Sequence, residues 1–260
     1  MVIMNVLDKK MFRDLVRLWA QALAISLVMA CGAATIIIAV GTFRSLDETR
    51  TAFYERYRFG AVFASATRAP LRLRSHLSEI SGVSGVELRI VQPVLLDVEG
   101  MAEPATGLAV SIPDQGEPVV NRLYLRNGRL PAPGRTNEVA VIETFAKAHG
   151  FKAGNTFHAI MNGRKRELTI VGIVLSPEFI YAIGPGDMVP DQRRFGIFYM
   201  SSTALRGLYD KEGAFDNVTL TAFRNAPLPS IMKDVDDILK SYGGTGAHKR
   251  KDQMSHAFLD

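Results

Sequence analysis

Residues 18–43 read LWAQALAISLVMACGAATIIIAVGTF, and no side chain in the stretch is charged. A helix rises about 1.5 Å per residue, so a run of this length can cross a hydrocarbon core of about 30 Å with room for tilt. A cleaved signal peptide has a shorter apolar core of about 7–15 residues, although Ala39-Val40-Gly41 weakly resembles a cleavage site. A lipoprotein signal would place its cysteine at the end of the apolar run. Cys31 follows Val28-Met29-Ala30 instead, and the sequence stays apolar through Ile36, Ile37, Ile38 and Val40. The reading adopted is a retained transmembrane helix over residues 18–43 carrying a large domain behind it.

Both flanks of the span are informative. Lys9, Lys10, Arg13 and Arg17 precede it, and Arg44, Arg50, Arg56 and Arg58 follow it, so the local charges balance. Short flanks decide orientation more than long translocated domains do, so the N-terminal side is expected in the cytoplasm. Leu7, Met11, Leu15 and Leu18 recur at helical spacing among basic residues. Residues 1–17 therefore read as an amphipathic segment on the cytoplasmic membrane surface. After the span, Leu46, Phe53 and Tyr57 share one helical stripe, predicting a stalk helix over 44–60. The alternative is a plain spacer helix.

The rest, residues 61–260, has the composition of a globular domain. The only cysteine, Cys31, lies in the span, so the domain contains no disulfide and its compartment stays open. The formal net charge is +5. The basic clusters Arg164-Lys165-Arg166 and Lys249-Arg250-Lys251 are isolated and lack interleaved aromatics, which argues against nucleic acid. Solvated turns with some attraction to anionic lipid explain them.

Element by element, residues 71–80 predict a helix, 82–85 a turn, and 86–98 one long strand or two short ones with Pro93 at an edge or bulge. Strands follow at 106–112 and 138–142. A short helix at 143–149 ends at Gly150. Residues 156–161 and 167–175 flank Asn162-Gly163, a strong hairpin signal. Strands at 195–200 and 217–223 enclose a helix at 201–208 with Ser201 as its cap. Residues 230–242 form an amphipathic helix with Ile231, Val235, Ile238, Leu239 and Tyr242 on its apolar face. This order defines an α+β fold with mixed sheets, in which a β-rich subdomain at about 105–190 is inserted into an α/β subdomain.

Searching for chemistry yields little. No phosphate-binding lysine loop and no Gly-x-Ser-x-Gly elbow occurs, and Gly184-Pro185-Gly186-Asp187 lacks the lysine and the helix a phosphate cradle needs. The histidines His76, His149, His158, His248 and His256 are dispersed, without zinc-ligand spacing. Asp97, Glu99 and Glu103 read as solvated carboxylates around a turn. No catalytic, cofactor-binding or metal-binding residues are assigned. The segment from Ser176 to Asp187 stands out because it mixes Pro and Gly with Phe179, Ile180 and Tyr181. These three are the candidate contact surface for a partner or lipid, and the alternative is that they fold into the core.

Two stretches carry a family resemblance: NEVAVIETFAKAHGFKAGNT at 137–156 and LTIVGIV at 168–174. With the basic helix, span and stalk ahead of them, they resemble the periplasmic core domain of MacB/FtsX-type ABC transporter permeases. Gly82-Val83 after a helix resembles the start of the first strand in such domains, with Ser81 where a proline is usual. Gly154-Asn155 likewise stands where that family has Gly-Asp. The resemblance implies the N-terminal portion of an inner-membrane permease whose further spans follow the domain. It also implies a separate cytoplasmic ABC ATPase, and a second permease half or a second copy as partner. The implied mechanism is mechanotransmission without catalysis by this chain, serving export or the handling of lipid or lipoprotein. Two other readings compete: a single-pass periplasmic sensor or scaffold, and a tethered envelope enzyme.

Overall fold

The computed structural model describes residues 6–101, 103–180, 184 and 191–253. The chain divides into two units, Met1–Phe53 and Tyr54–Asp260.

The first unit contains helix α1, Val6–Arg17, and most of helix α2, Trp19–Arg56. Among the described residues, α2 is the one helix long and apolar enough to cross a membrane. Its apolar side chains, Leu23, Ile25, Met29, Ile37 and Phe43 among them, are exposed on all sides. A helix apolar all round requires an apolar surrounding, and a bilayer supplies one. The Thr35 hydroxyl donates to the Cys31 carbonyl at 2.8 Å, which satisfies it inside the apolar run. Past the run the helix turns polar, and Arg50 pairs with Asp47 at 2.7 Å. No Gly or Pro interrupts residues 42–59, so nothing in the sequence breaks the helix where it leaves the apolar stretch.

The second unit has two sheets. The first is four-stranded and antiparallel, in the order β11 (His248–Lys249), β1 (Val62–Pro70), β10 (Ala214–Ala222), β2 (Val83–Arg89). Helices α3 (Leu73–Glu79) and α6 (Leu228–Leu239) pack on it. Leu77, Ile231, Val235 and Leu239 meet Val62, Val218 and Leu220 in one core.

The remaining strands are β3 (Val91–Asp97), β4 (Ala105–Ile112), β5 (Tyr124–Gly128), β6 (Glu138–Ile142), β7 (Thr156–Met161), β8 (Arg164–Leu175) and β9 (Phe195–Ser201). Their order is β5-β8-β6-β9-β4-β3-β7, and β7 also pairs with β8. Six of the seven strands therefore close into a barrel, with β5 left as an outer strand on β8. The β7–β8 hairpin turns through Asn162 and Gly163, both at positive φ (49° and 72°) as a type I′ turn demands. On the parallel β4–β9 pair, Gly107 sits opposite Gly196. A Cβ at Gly196 would stand 2.6 Å from Leu96 Cδ1 and 2.9 Å from Phe145 Cε2, so only glycine admits these two core side chains. Helix α4 (Glu143–His149) ends at Gly150 in the left-handed region, φ 67°. Helix α5 (Ser202–Leu208) is capped by Ser201, whose hydroxyl accepts from the Ala204 amide.

Several elements differ from the sequence reading. Residues 83–85 belong to β2 rather than to a turn, since Val83 pairs with Ala222 and Gly85 with Thr221. Strand β1 was not foreseen, because its three Ala residues and its Pro are depleted in strands and mask the apolar alternation. Nor was β5, whose five residues are all exposed and show no apolar alternation. Residues 86–98 form two strands that part at Ile90, where the chain passes from one sheet to the other. Pro93 pairs with β4 but lies short of β7, which joins β3 only from Leu95, so the missing N–H breaks no ladder there. The barrel strands run from 91 to 201, against the 105–190 read from the sequence.

Candidate functional site

The chain crosses between the sheets at Ile90, and a buried polar cluster sits beside this crossing. Arg89 is the last residue of β2 and is paired in register with Asn217 on β10. The side chains of Arg89 and Glu178 are only 5% and 3% exposed. Both guanidinium arms reach the Glu178 carboxylate: Nη2 donates to Oε1 at 2.9 Å and Nη1 donates to Oε2. Arg89 also donates to Asn217 Oδ1, at 3.0 Å from Nε and 2.7 Å from Nη2. The Asn217 amide in turn donates to Ser65 Oγ on β1 at 3.1 Å. Burial works against the Arg89 charge, but the Glu178 carboxylate outweighs it and raises the guanidinium pKa. Burial, and then the same carboxylate, push the Tyr199 phenol upward.

Two side-chain amides also reach Glu178. Asn121 Nδ2 donates to Oε2 at 2.6 Å, and Gln253 Nε2 donates to Oε1 at 3.2 Å. Both belong to segments that clasp the chain where α2 ends. Asn121 Oδ1 accepts from the Gly60 amide at 2.8 Å, and the amides of Asn121 and Arg122 donate to the carbonyls of Arg58 and Tyr57 at 3.0 and 2.8 Å. Arg250 donates to the carbonyls of Phe59 and Gly60 at 2.6 and 2.9 Å, and its guanidinium lies over the Phe59 ring at 4.6 Å. His248 stacks on Phe63 and bonds Gln253 at 2.7 Å. The segments just after α2 and just before residue 254 are thus held side by side, and β11 pairs with β1.

One residue along β10, Asp216 ties the sheets together again. It accepts from the Val91 amide at 2.7 Å, from Gln92 Nε2 at 2.6 Å and from Lys211 Nζ at 2.7 Å. A cleft of about 300 Å³ also opens between the sheets, lined by Arg74, Glu87, Asp114, Glu117 and Arg206 among others. Burial pushes the Glu87 carboxyl up, against the Val119 amide that donates to it at 2.6 Å. Asp114 is occupied by Ser201 and Thr203, which it helps to cap onto α5.

The residues singled out in the sequence do not converge. Asp97 pairs with Lys165 at 2.6 Å and Glu103 with Arg194 at 3.0 Å, both at the surface. His149 meets the Arg193 carbonyl at 3.0 Å. Among the described residues no three His, Cys, Asp or Glu side chains group as metal ligands. Of the candidate contact residues, Phe179 is partly buried against the barrel core and Ile180 is half-buried. Tyr181 lies outside the described residues, as do 185–187. Sequence reasoning missed Arg89, Asn121, Glu178, Asn217 and Gln253. The available signal was a lone Arg inside the apolar strand around VELRIV and a lone Glu beside Phe179.

No family model matches the chain, and no curated protein does either. Among solved structures the chain is similar to the periplasmic region of MacB from Actinobacillus actinomycetemcomitans. The identity is 13% over 80% of this chain and 96% of that one, at a TM-score of 0.46. It is also similar to the extracellular domain of the noncanonic ABC-type transporter YknZ from Gram-positive bacteria, at 11% identity over 72% and 98%, TM-score 0.45. A domain of a putative permease protein from Porphyromonas gingivalis matches at 10% identity over 78% and 96%, TM-score 0.39.

Proposed function

We propose that the chain is the N-terminal portion of a mechanotransmission permease subunit of an ABC transporter. It sits in a bacterial inner membrane with residues 1–17 in the cytoplasm and the main domain in the periplasm. The observation that carries this reading is the continuity of α2. One helix runs from Trp19, at the start of the apolar stretch, to Arg56, beyond Tyr54, which is buried in the second unit. An unbroken helix passes displacement along its axis, whereas a flexible linker would dissipate it. The motif order at 137–156 and 168–174 supports the same reading.

On this account the chain performs no chemistry of its own. A cytoplasmic ABC ATPase hydrolyses ATP, and a second permease half or a second copy of the chain completes the unit. The helix moves the periplasmic domain, which acts on exported cargo or on lipid or lipoprotein. The test is ATP hydrolysis by the co-purifying nucleotide-binding protein in nanodiscs, with and without the full-length protein. A severalfold change in rate supports the reading. An ATPase that neither binds nor responds removes it and leaves the sensor or scaffold alternative.

A further inference from the structure

We infer that the Glu178 carboxylate couples the chain at the end of α2 to the segment that follows β8, so that loosening one loosens the other. The inference concerns the domain alone and holds whether or not an ATPase partner exists.

Each Glu178 oxygen takes one guanidinium bond from Arg89 and one amide bond. Arg89 is anchored on the four-stranded sheet by Asn217, so it is the fixed side of the junction. The amide donors, Asn121 and Gln253, are the other side, and each is tied to residues 57–60. Asn121 reaches them through Gly60 and Arg58. Gln253 reaches them through its own segment, where Arg250 holds the carbonyls of Phe59 and Gly60. A buried carboxylate oxygen that loses its amide donor keeps only part of its hydrogen-bond shell while still desolvated, and such networks respond as a unit. A displacement of residues 57–60 therefore reaches Glu178 through one intervening side chain, and from there the start of the loop at Ser176, whose hydroxyl accepts from the Glu178 amide at 3.2 Å. Asn121 adopts a left-handed backbone, φ 56°, which aims its side chain between Gly60 and Glu178. Asn and Gly are the residues that tolerate this conformation. Asn121→Gly thus removes the side chain without straining the backbone.

The experiment is a mutant cycle on the full-length protein in nanodiscs, without nucleotide, read by amide hydrogen exchange. Arg250→Ala removes the clamp on Phe59 and Gly60 while leaving the Arg89, Asn121 and Gln253 bonds to Glu178 in place. It is expected to speed exchange of the Glu178 amide about tenfold, with the β9 amides unchanged. In an Asn121→Gly, Gln253→Ala background, where both amide donors to Glu178 are gone, the same substitution should add less than about threefold. Arg250→Lys replaces Arg250→Ala if β9 exchange shows wider unfolding. Additive effects overturn the inference, and so does acceleration confined to residues 57–61.

Discussion

The two sheets of the second unit solve the same packing problem in opposite ways. The barrel is made from one contiguous stretch, β3 to β9, and its closure leaves a core that needs only α4 and α5 beside it. The four-stranded sheet is assembled from pieces far apart in the chain: β1 and β2 from its beginning, β10 and β11 from its end. It is open, and one face depends on α3 and α6 for cover. The open sheet is also the part that receives the end of α2. The open sheet is thus joined from the two ends of the domain, whereas the barrel is drawn from one stretch, although only its β3–β4 and β7–β8 pairs are neighbours in sequence. Closure of a barrel removes free edges, so the six closed strands have no edge strand from which to open. The barrel should therefore behave as a rigid body and the open sheet as the compliant one.

The largest effect should come from core truncation. Phe145→Ala on α4 against the barrel core and Leu77→Ala under the open sheet remove fully buried side chains and should each cost about 2–5 kcal/mol. Hydrogen exchange should separate them. Leu77→Ala should free amides of β1, β2 and β10 while sparing β9, and Phe145→Ala should free the whole barrel at once. Uniform loss of protection in both variants would erase the distinction between the sheets.

A smaller effect distinguishes an exposed pair on the barrel from the buried junction. Arg129 donates to the Glu138 carboxylate at 2.7 and 2.8 Å, and the Ala132 amide donates at 3.0 Å. Against some burial, the Arg129 bond above all holds the Glu138 pKa at about 2, below its ordinary 4.5. A depressed carboxylate contributes stability that is fully present above its unfolded pKa and is lost as pH falls from about 4.5 towards about 2. Glu138→Gln should cost about 1 kcal/mol at neutral pH and flatten the acid limb in that window. An unchanged acid limb, followed by circular dichroism, would show that the pair does not form in solution.

How legible each region was follows the same division. The span, β6, α4 with its Gly150 cap, the Asn162-Gly163 hairpin and the Ser201 cap all declare themselves locally, by apolar length, turn chemistry or capping. Strand β1 does not, because its Ala and Pro residues become strand only when β10 and β11 flank them. Strand β5 does not, because nothing on it is buried. The junction was illegible for a different reason: Arg89 and Glu178 lie 89 residues apart in sequence, and Asn217 a further stretch beyond. Composition shows that a lone charge in an apolar strand needs a partner, but not which one. Barrel closure was equally out of reach, since it rests on the β7–β8 and β3–β7 registers rather than on any one strand.

In the proposed mechanism α2 delivers motion to the open sheet as a continuous helix, and breaking that helix tests it. Thr49 lies in its polar stretch, exposed, with its hydroxyl bonded only to the Ser45 carbonyl at 2.7 Å. Thr49→Pro removes a backbone donor and kinks the helix at a cost of about 3 kcal/mol, without touching the domain. Measured in nanodiscs with the co-purifying ATPase, the account predicts that the variant still inserts and binds the ATPase. The domain's exchange pattern should then no longer change when ATP is added. A nucleotide response equal to that of the unsubstituted protein would contradict it.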